Sequence, residues 1–196
     1  MLNLLKAINF AAQKHSSQLR KDNKLTPYIN HPIEVATILA ECEILDVNIL
    51  IAGILHDVLE DTDTNKDELL LEFGSHITNI VLECTDDKVL NKVEKKQHQL
   101  YNIEFLSTEA KLVKMADKYS NLKGLLVDPP KTWSTKEIYG YGIWVYTMLL
   151  KVKGLNANLE LKFRELFNRD PFFSSLDPKT ITDLLSDYYN NIDKSD

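Results

Sequence analysis

Apolar positions recur at three- and four-residue spacing along almost the whole chain, which is the period of an amphipathic helix. Leu4, Leu5, Ile8, Ala11 and Ala12 form a first stripe. The stretch from Gln18 to Asn30 is polar and carries Pro27, so a loop is predicted there. Pro32 suits the first turn of a helix running to about Glu41. Asp46 is placed to cap the next helix, whose body, ILIAGIL, is apolar on all sides and belongs in a core. Gly53 within it costs ~1 kcal/mol relative to alanine, and close helix packing is the simplest reason for it. Thr64-Asn65-Lys66-Asp67 resembles a capping box ahead of LLLEF, and Gly74 can end that helix. Further helices are predicted over 75–84, 91–106, 109–125, 135–153, 157–168 and 178–191. The breakers between them are Asp86-Asp87, Ser107, Pro129-Pro130, Gly154, Pro171 and Asp177-Pro178. No alternating β-branched run competes, so the pattern predicts one all-α domain.

Composition narrows the function. The chain has 196 residues, 44% hydrophobic and 27% charged, which suits one folded domain rather than a disordered chain. Its net charge of -6 argues against a nucleic-acid polymer as partner, although a local basic patch for a small anion remains compatible with it. Cys42 and Cys84 have no CxxC spacing and read as small buried residues in a reducing, cytoplasmic setting. Apolar runs such as Ile49–Leu55 fall far short of the ~18 residues a membrane helix needs.

The chemistry gathers where the apolar helix ends. His56-Asp57 follows ILIAGIL directly, and a charged pair at the edge of a core is costly unless it is paired or bound to metal. On a continuing helix Glu60 is one turn beyond His56 and Asp61 one turn beyond Asp57. Taken alone, this is also what a helix leaving the core for water looks like. Two other strings add to it. His31 begins a helix in TPYINHPIEVA, and Asp117 lies in KLVKMADKYSNL, sharing a helix face with Asn121. Histidines and carboxylates without cysteine suit Mn²⁺, Fe²⁺, Mg²⁺ or Zn²⁺ in an open, water-bearing site.

The order His, His-Asp, Asp resembles the HD superfamily. More narrowly, the chain resembles the hydrolase domain of RelA/SpoT alarmone enzymes and the single-domain small alarmone hydrolases of the metazoan SpoT-homologue type. The matching strings are AAQKHSSQLRKD, TPYINHPIEVATIL, AGILHDVLEDT, CTDDK and KLVKMADKYSNL, with TWSTKEIYGYGIWVYTMLLKVKGL resembling the family's later helix. The resemblance covers about residues 3–168. It implies a compact HD-domain bundle of about eight to ten helices and one divalent metal, usually Mn²⁺. His31, His56, Asp57 and Asp117 fall on the metal-ligand positions, and Glu60 and Asp61 on the catalytic acid pair. Arg20 falls on the residue that packs on the base, Lys21 on its neighbour, and Asn121 on a nucleotide contact.

The implied reaction removes pyrophosphate from the 3′ position of ppGpp. Metazoan members are also associated with removing the 2′-phosphate of NADPH. Two alternatives stay open: another HD phosphohydrolase, such as a 5′-nucleotidase or cyclic-nucleotide phosphodiesterase, or a non-catalytic nucleotide-binding regulator. Lys92, Lys95 and Lys96 are either an exposed helix face or contacts to substrate phosphates. Lys118 is a further candidate, although next to Asp117 it points to a different helix face. His15 reads as ordering the Arg20 loop, His76 and His98 as surface, and Trp133, Tyr141 and Trp144 as core or pocket wall. Ser120 departs from the Tyr or His of several family members. The division expected is 1–169 for the hydrolase domain and 170–196 for a helical extension packed on it, without a family parallel. A homodimer is compatible with all of this.

Overall fold

The computed structural model describes residues 1–192; the last four residues of the expected extension, 193–196, lie outside the described residues. The long helices are α1 (Leu2–Lys14), α2 (Asn30–Glu41), α3 (Val47–Leu55), α5 (Lys66–Cys84), α6 (Lys92–Asn102), α7 (Thr108–Val127), α8 (Thr135–Lys151), α9 (Ala157–Arg169) and α11 (Ile181–Ile192). Two single turns, α4 (Val58–Asp61) and α10 (Pro171–Ser174), complete the set. Among the described residues there is no strand, and no helix is long and apolar enough to cross a membrane. The predicted all-α bundle is what forms.

Side-chain caps set most of the helix starts. Asp46 accepts from Asn48 N at 2.8 Å, and Asn65 from Glu68 N at 3.0 Å. Asn91 with Glu94 and Ser134 with Glu137 form full capping boxes. Each such cap contributes about 1 kcal/mol. Gly74 has φ +79°, a left-handed value glycine adopts without strain, and it breaks α5 where the sequence placed a stop. The helix predicted over 91–106 finishes as a tighter turn over Ile103–Phe105.

The all-apolar α3 lies at the centre, packed against α1, α2, α5 and α7. Its Ile51, Ala52, Ile54 and Leu55 are almost fully buried. A Cβ at Gly53 would stand 3.0 Å from Leu39 Cδ1, so the glycine does serve close packing of α3 on α2. One expectation needs correcting. Helix α3 does not continue through Asp61: it stops at Leu55, His56-Asp57 forms a turn, and α4 starts afresh. His56 Nδ1 donates back to Gly53 O at 2.8 Å, and Asp57 sits at φ -100°, ψ -6°. On an unbroken helix His56 and Asp57 would point about 100° apart. The turn lets both face one centre.

Candidate active site

Three elements meet at that centre. His31 comes from the first turn of α2, His56 and Asp57 from the turn after α3, and Asp117 from mid-α7. His31 Nε2 lies 3.1 Å from Asp117 Oδ1 and 3.7 Å from Asp57 Oδ2. His56 Nε2 lies 3.0 Å from Asp57 Oδ2 and 3.8 Å from Asp117 Oδ1. Ligand atoms of His31, His56 and Asp117 all fall within 4.8 Å of one another. All four predicted ligands are therefore brought together.

The surroundings fix which ring nitrogens face inward. A carbonyl only accepts, so the Gly53 contact puts the proton of His56 on Nδ1 and leaves Nε2 as the inward atom. His31 Nδ1 lies 3.0 Å from Ser120 Oγ, and Ser120 Oγ donates to Glu34 Oε2 at 2.8 Å. That hydroxyl is left to accept from His31, so its Nε2 faces inward too. The buried His56 Nε2 has no partner of hydrogen-bonding geometry. Two such nitrogens facing two carboxylates fit a divalent cation, since metal-bound histidines are held by a hydrogen bond at the other nitrogen. Burial opposes a charge on His56, yet the Asp57 and Asp117 carboxylates lift its pKa to about 10. A cation would answer the same negative field.

The acid pair divides. Tyr28 OH stands 2.6 Å from Asp57 Oδ2 and 3.1 Å from Asp61 Oδ2, tying Asp61 to the His-Asp cluster. Glu60 turns away, accepting from Asp86 N at 3.3 Å and lying 3.6 Å from Lys95 Nζ. Burial raises both carboxyls above their ordinary range, helped by Asp86 for Glu60 and by Asp57 for Asp61. His15 Nδ1 pairs with Gln18 Oε1 at 2.7 Å, and Gln18 Nε2 donates to Asp61 O at 2.5 Å. His15 thus orders the loop, as read from sequence.

Beside the cluster opens a cavity of about 670 Å³, in the range of small-ligand sites. Asp61, Tyr28 and His31 line the end next to this cluster. Arg20 and Lys21 line it from the 18–30 loop, which closes as a small hairpin through an isolated bridge between Leu19 and Pro27. Arg20 Nη2 donates to Asn121 Oδ1 at 3.3 Å, and Asn121 Nδ2 donates to Asp117. Trp133 and Tyr141 form an aromatic wall, while Trp144 is core.

Lys118 was expected on another helix face. Instead it is buried, lines the cavity, and holds Asp117 Oδ2 at 2.7 Å. Helix α8 packs on α7 there, with the Trp144 ring centre 5.5 Å from Lys118 Nζ, so that face also points inward. Lys92 and Lys95 are not among the lining residues; Lys96 is, with Nζ 4.0 Å from the Trp144 ring centre and 5.0 Å from that of Tyr141. Sequence reading missed Tyr28 and Glu34 as site residues. The signal for Tyr28 was its place three residues before His31 in TPYINHP; for Glu34, its place three residues after it.

The HD domain family matches residues 7–150. The chain belongs to the HD-domain family. Within that family it is similar to MESH1 proteins described as guanosine-3′,5′-bis(diphosphate) 3′-pyrophosphohydrolases. It is 46% identical to the Danio rerio protein over 165 residues, 84% of this chain and 92% of that one. It is 46% identical to the Homo sapiens protein over 167 residues, 85% of this chain and 93% of that one. A solved structure, described as a metazoan ortholog of SpoT that hydrolyzes ppGpp and plays a role in starvation responses, superposes with a TM-score of 0.83 at 42% identity. That match covers 86% of this HD-domain chain and 96% of the other.

Proposed function

We propose that this HD-domain protein is a Mn²⁺-dependent phosphohydrolase that removes the 3′-pyrophosphate of (p)ppGpp, giving GDP or GTP and pyrophosphate. One observation carries the reading: the His31, His56, Asp57 and Asp117 cluster opens into an aromatic-walled cavity of nucleotide size that Arg20, Lys21, Lys96 and Lys118 line. The likeness to MESH1 proteins supports the same substrate.

Those four residues would hold a divalent cation, which would supply Lewis acidity and lower the pKa of water; the all-N/O donor set suits Mn²⁺. The remaining work belongs to the chain. In the reaction a water oxygen bonds to the phosphorus carried on the ribose 3′ oxygen. The P–O3′ bond breaks, and the 3′ oxygen takes up a proton. Asp61, at the cavity's metal end with a raised pKa, is placed to take the water's proton and return it to the leaving oxygen. Tyr28 orients Asp61 against Asp57. Lys96 and Lys118 stand where phosphate charge gathers, and Arg20 and Tyr141 offer planar groups to the base. Glu60 supports the turn through Asp86 N and Lys95. A cytoplasmic setting is supported by the two buried free thiols, Cys42 and Cys84.

The test is release of phosphate and pyrophosphate over a panel of ppGpp, NADPH, a 5′-mononucleotide and a cyclic nucleotide with Mn²⁺. Pyrophosphate from ppGpp is the expected result. Release from the mononucleotide or cyclic nucleotide alone would move the protein to another HD chemistry, and binding without release to a regulator.

A further inference from the structure

The family match ends at residue 150, and the chain goes on to place α11 against α8 and to bring the Phe172 and Phe173 rings of α10 onto the same helix. The contact is close enough to require particular residues. A Cβ at Gly140 would stand 2.5 Å from Tyr188 Cδ2 and 2.9 Å from Tyr188 Cβ. A Cβ at Gly142 would stand 2.1 Å from Phe173 Cζ. Each glycine is therefore a bare patch of α8 backbone on which an aromatic ring rests. Tyr188 is 2% exposed and Phe173 7%. Phe173 is held by Phe167 at 5.0 Å and Phe172 at 5.0 Å, and Phe172 stacks on Tyr139 at 4.3 Å.

Between the two glycines lies Tyr141, which lines the cavity. Its ring lies 6.2 Å from Trp133 and 5.0 Å from Lys96 Nζ. Residues 140 and 142 are about 200° apart around the helix, with 141 midway between them. Rings seated on both leave α8 little freedom to turn about its axis. A turn of about 10° would carry a hydroxyl roughly 9 Å from that axis by about 1.5 Å, and displacements of about 1 Å at a binding site have large kinetic effects.

We propose that the C-terminal segment is a clamp: Tyr188 on Gly140 and Phe173 on Gly142 set the rotation of α8 and so position Tyr141 as the wall of the nucleotide cavity. Tyr188 and Phe173 are positioning residues for substrate binding, in addition to burying apolar surface. The inference rests on the nucleotide reading of the cavity.

The experiment uses the full chain with Mn²⁺ and ppGpp. Tyr188→Leu keeps an apolar side chain and removes the ring. It is expected to raise KM about three- to tenfold with kcat within about twofold. In a Tyr141→Leu background the same substitution is expected to leave KM unchanged, because the residue it positions is gone. A fall in Tm with KM unchanged, or the same rise in KM in both backgrounds, would overturn the clamp. Phe173→Leu puts the same question at the other glycine should Tyr188→Leu fail to fold. A wild-type protein that neither binds nor cleaves ppGpp would defeat the nucleotide reading and the clamp with it. A wild type that cleaves ppGpp beside an unaffected Tyr188→Leu would defeat the clamp alone.

Discussion

Ser120→Ala removes one hydroxyl and is expected to weaken metal binding by about 10- to 100-fold. The hydroxyl joins two groups far apart in sequence, accepting from His31 Nδ1 at 3.0 Å and donating to Glu34 Oε2 at 2.8 Å. Glu34 keeps a second partner, Lys123 Nζ at 2.8 Å, so it is not stranded by the change. His31 is, since it is 2% exposed and its Nδ1 has no other partner. An unsatisfied buried N–H costs about 1–3 kcal/mol. The ring avoids that cost by moving its proton to Nε2, where Asp117 Oδ1 lies 3.1 Å away to accept it. That tautomer occupies the nitrogen a cation needs. Loss of such a supporting hydrogen bond typically costs about 10–100-fold in metal affinity, equivalent to about 1.4–2.7 kcal/mol. Competition with a fluorescent chelator for Mn²⁺, on both proteins, measures this directly. At saturating Mn²⁺ kcat is expected to recover much of its value, and Ser120→Thr to behave like wild type. Equal Mn²⁺ affinity for wild type and Ser120→Ala would refute the reasoning.

Three further outcomes follow from the site. Asp61→Asn is expected to keep Mn²⁺ and ppGpp binding while kcat falls ~10²–10⁴-fold; Glu60→Gln, made alongside, is expected to fall less, and the reverse order in single-turnover rates would exchange their roles. Arg20→Ala is expected to raise KM about tenfold, for about 1–2 kcal/mol of lost cationic contact, with Tm nearly unchanged; a large Tm drop at constant KM would make Arg20 structural. Burial, with Lys118 nearby, lowers the pKa of Lys96 to about 7, so its charge is present below that pH and lost above it. KM for ppGpp is therefore expected to climb as pH rises through 7, by up to about tenfold per unit, and Lys96→Met to lose that limb; an unchanged pH profile in Lys96→Met would count against the assignment.

The helices were legible because their signals are local. The 3–4 spacing of Leu4, Ile8 and Ala11, the cap at Asp46 and the stop at Gly74 all act within a turn or two. The convergence of His31, His56, Asp57 and Asp117 was expected because family strings marked each residue, while the geometry joining them spans residues 31 to 117. The break at His56-Asp57 was not legible, since a six-residue apolar-to-polar stretch carries no sign that a ring will take the Gly53 carbonyl. Lys118 was a candidate that sequence could not rank above its neighbours, because its burial comes from the packing of α8 on α7 and not from any local pattern. The Glu34–Ser120–His31 chain depends on a contact across 86 positions, and nothing near either residue announces it. The clamp on α8 was equally hidden. YGYG reads as a weak helix until Tyr188 and Phe173 are seen seated on its glycines.

The most direct measurement is phosphorus NMR of ppGpp incubated with protein stripped of metal and then titrated with Mn²⁺. The expected result is no turnover in the stripped protein. Turnover then rises with Mn²⁺ and reaches its plateau at one equivalent, forming GDP and pyrophosphate in equal amounts. Undiminished turnover by protein shown metal-free by elemental analysis, or phosphate released with the 3′-pyrophosphate group left intact, would contradict the account.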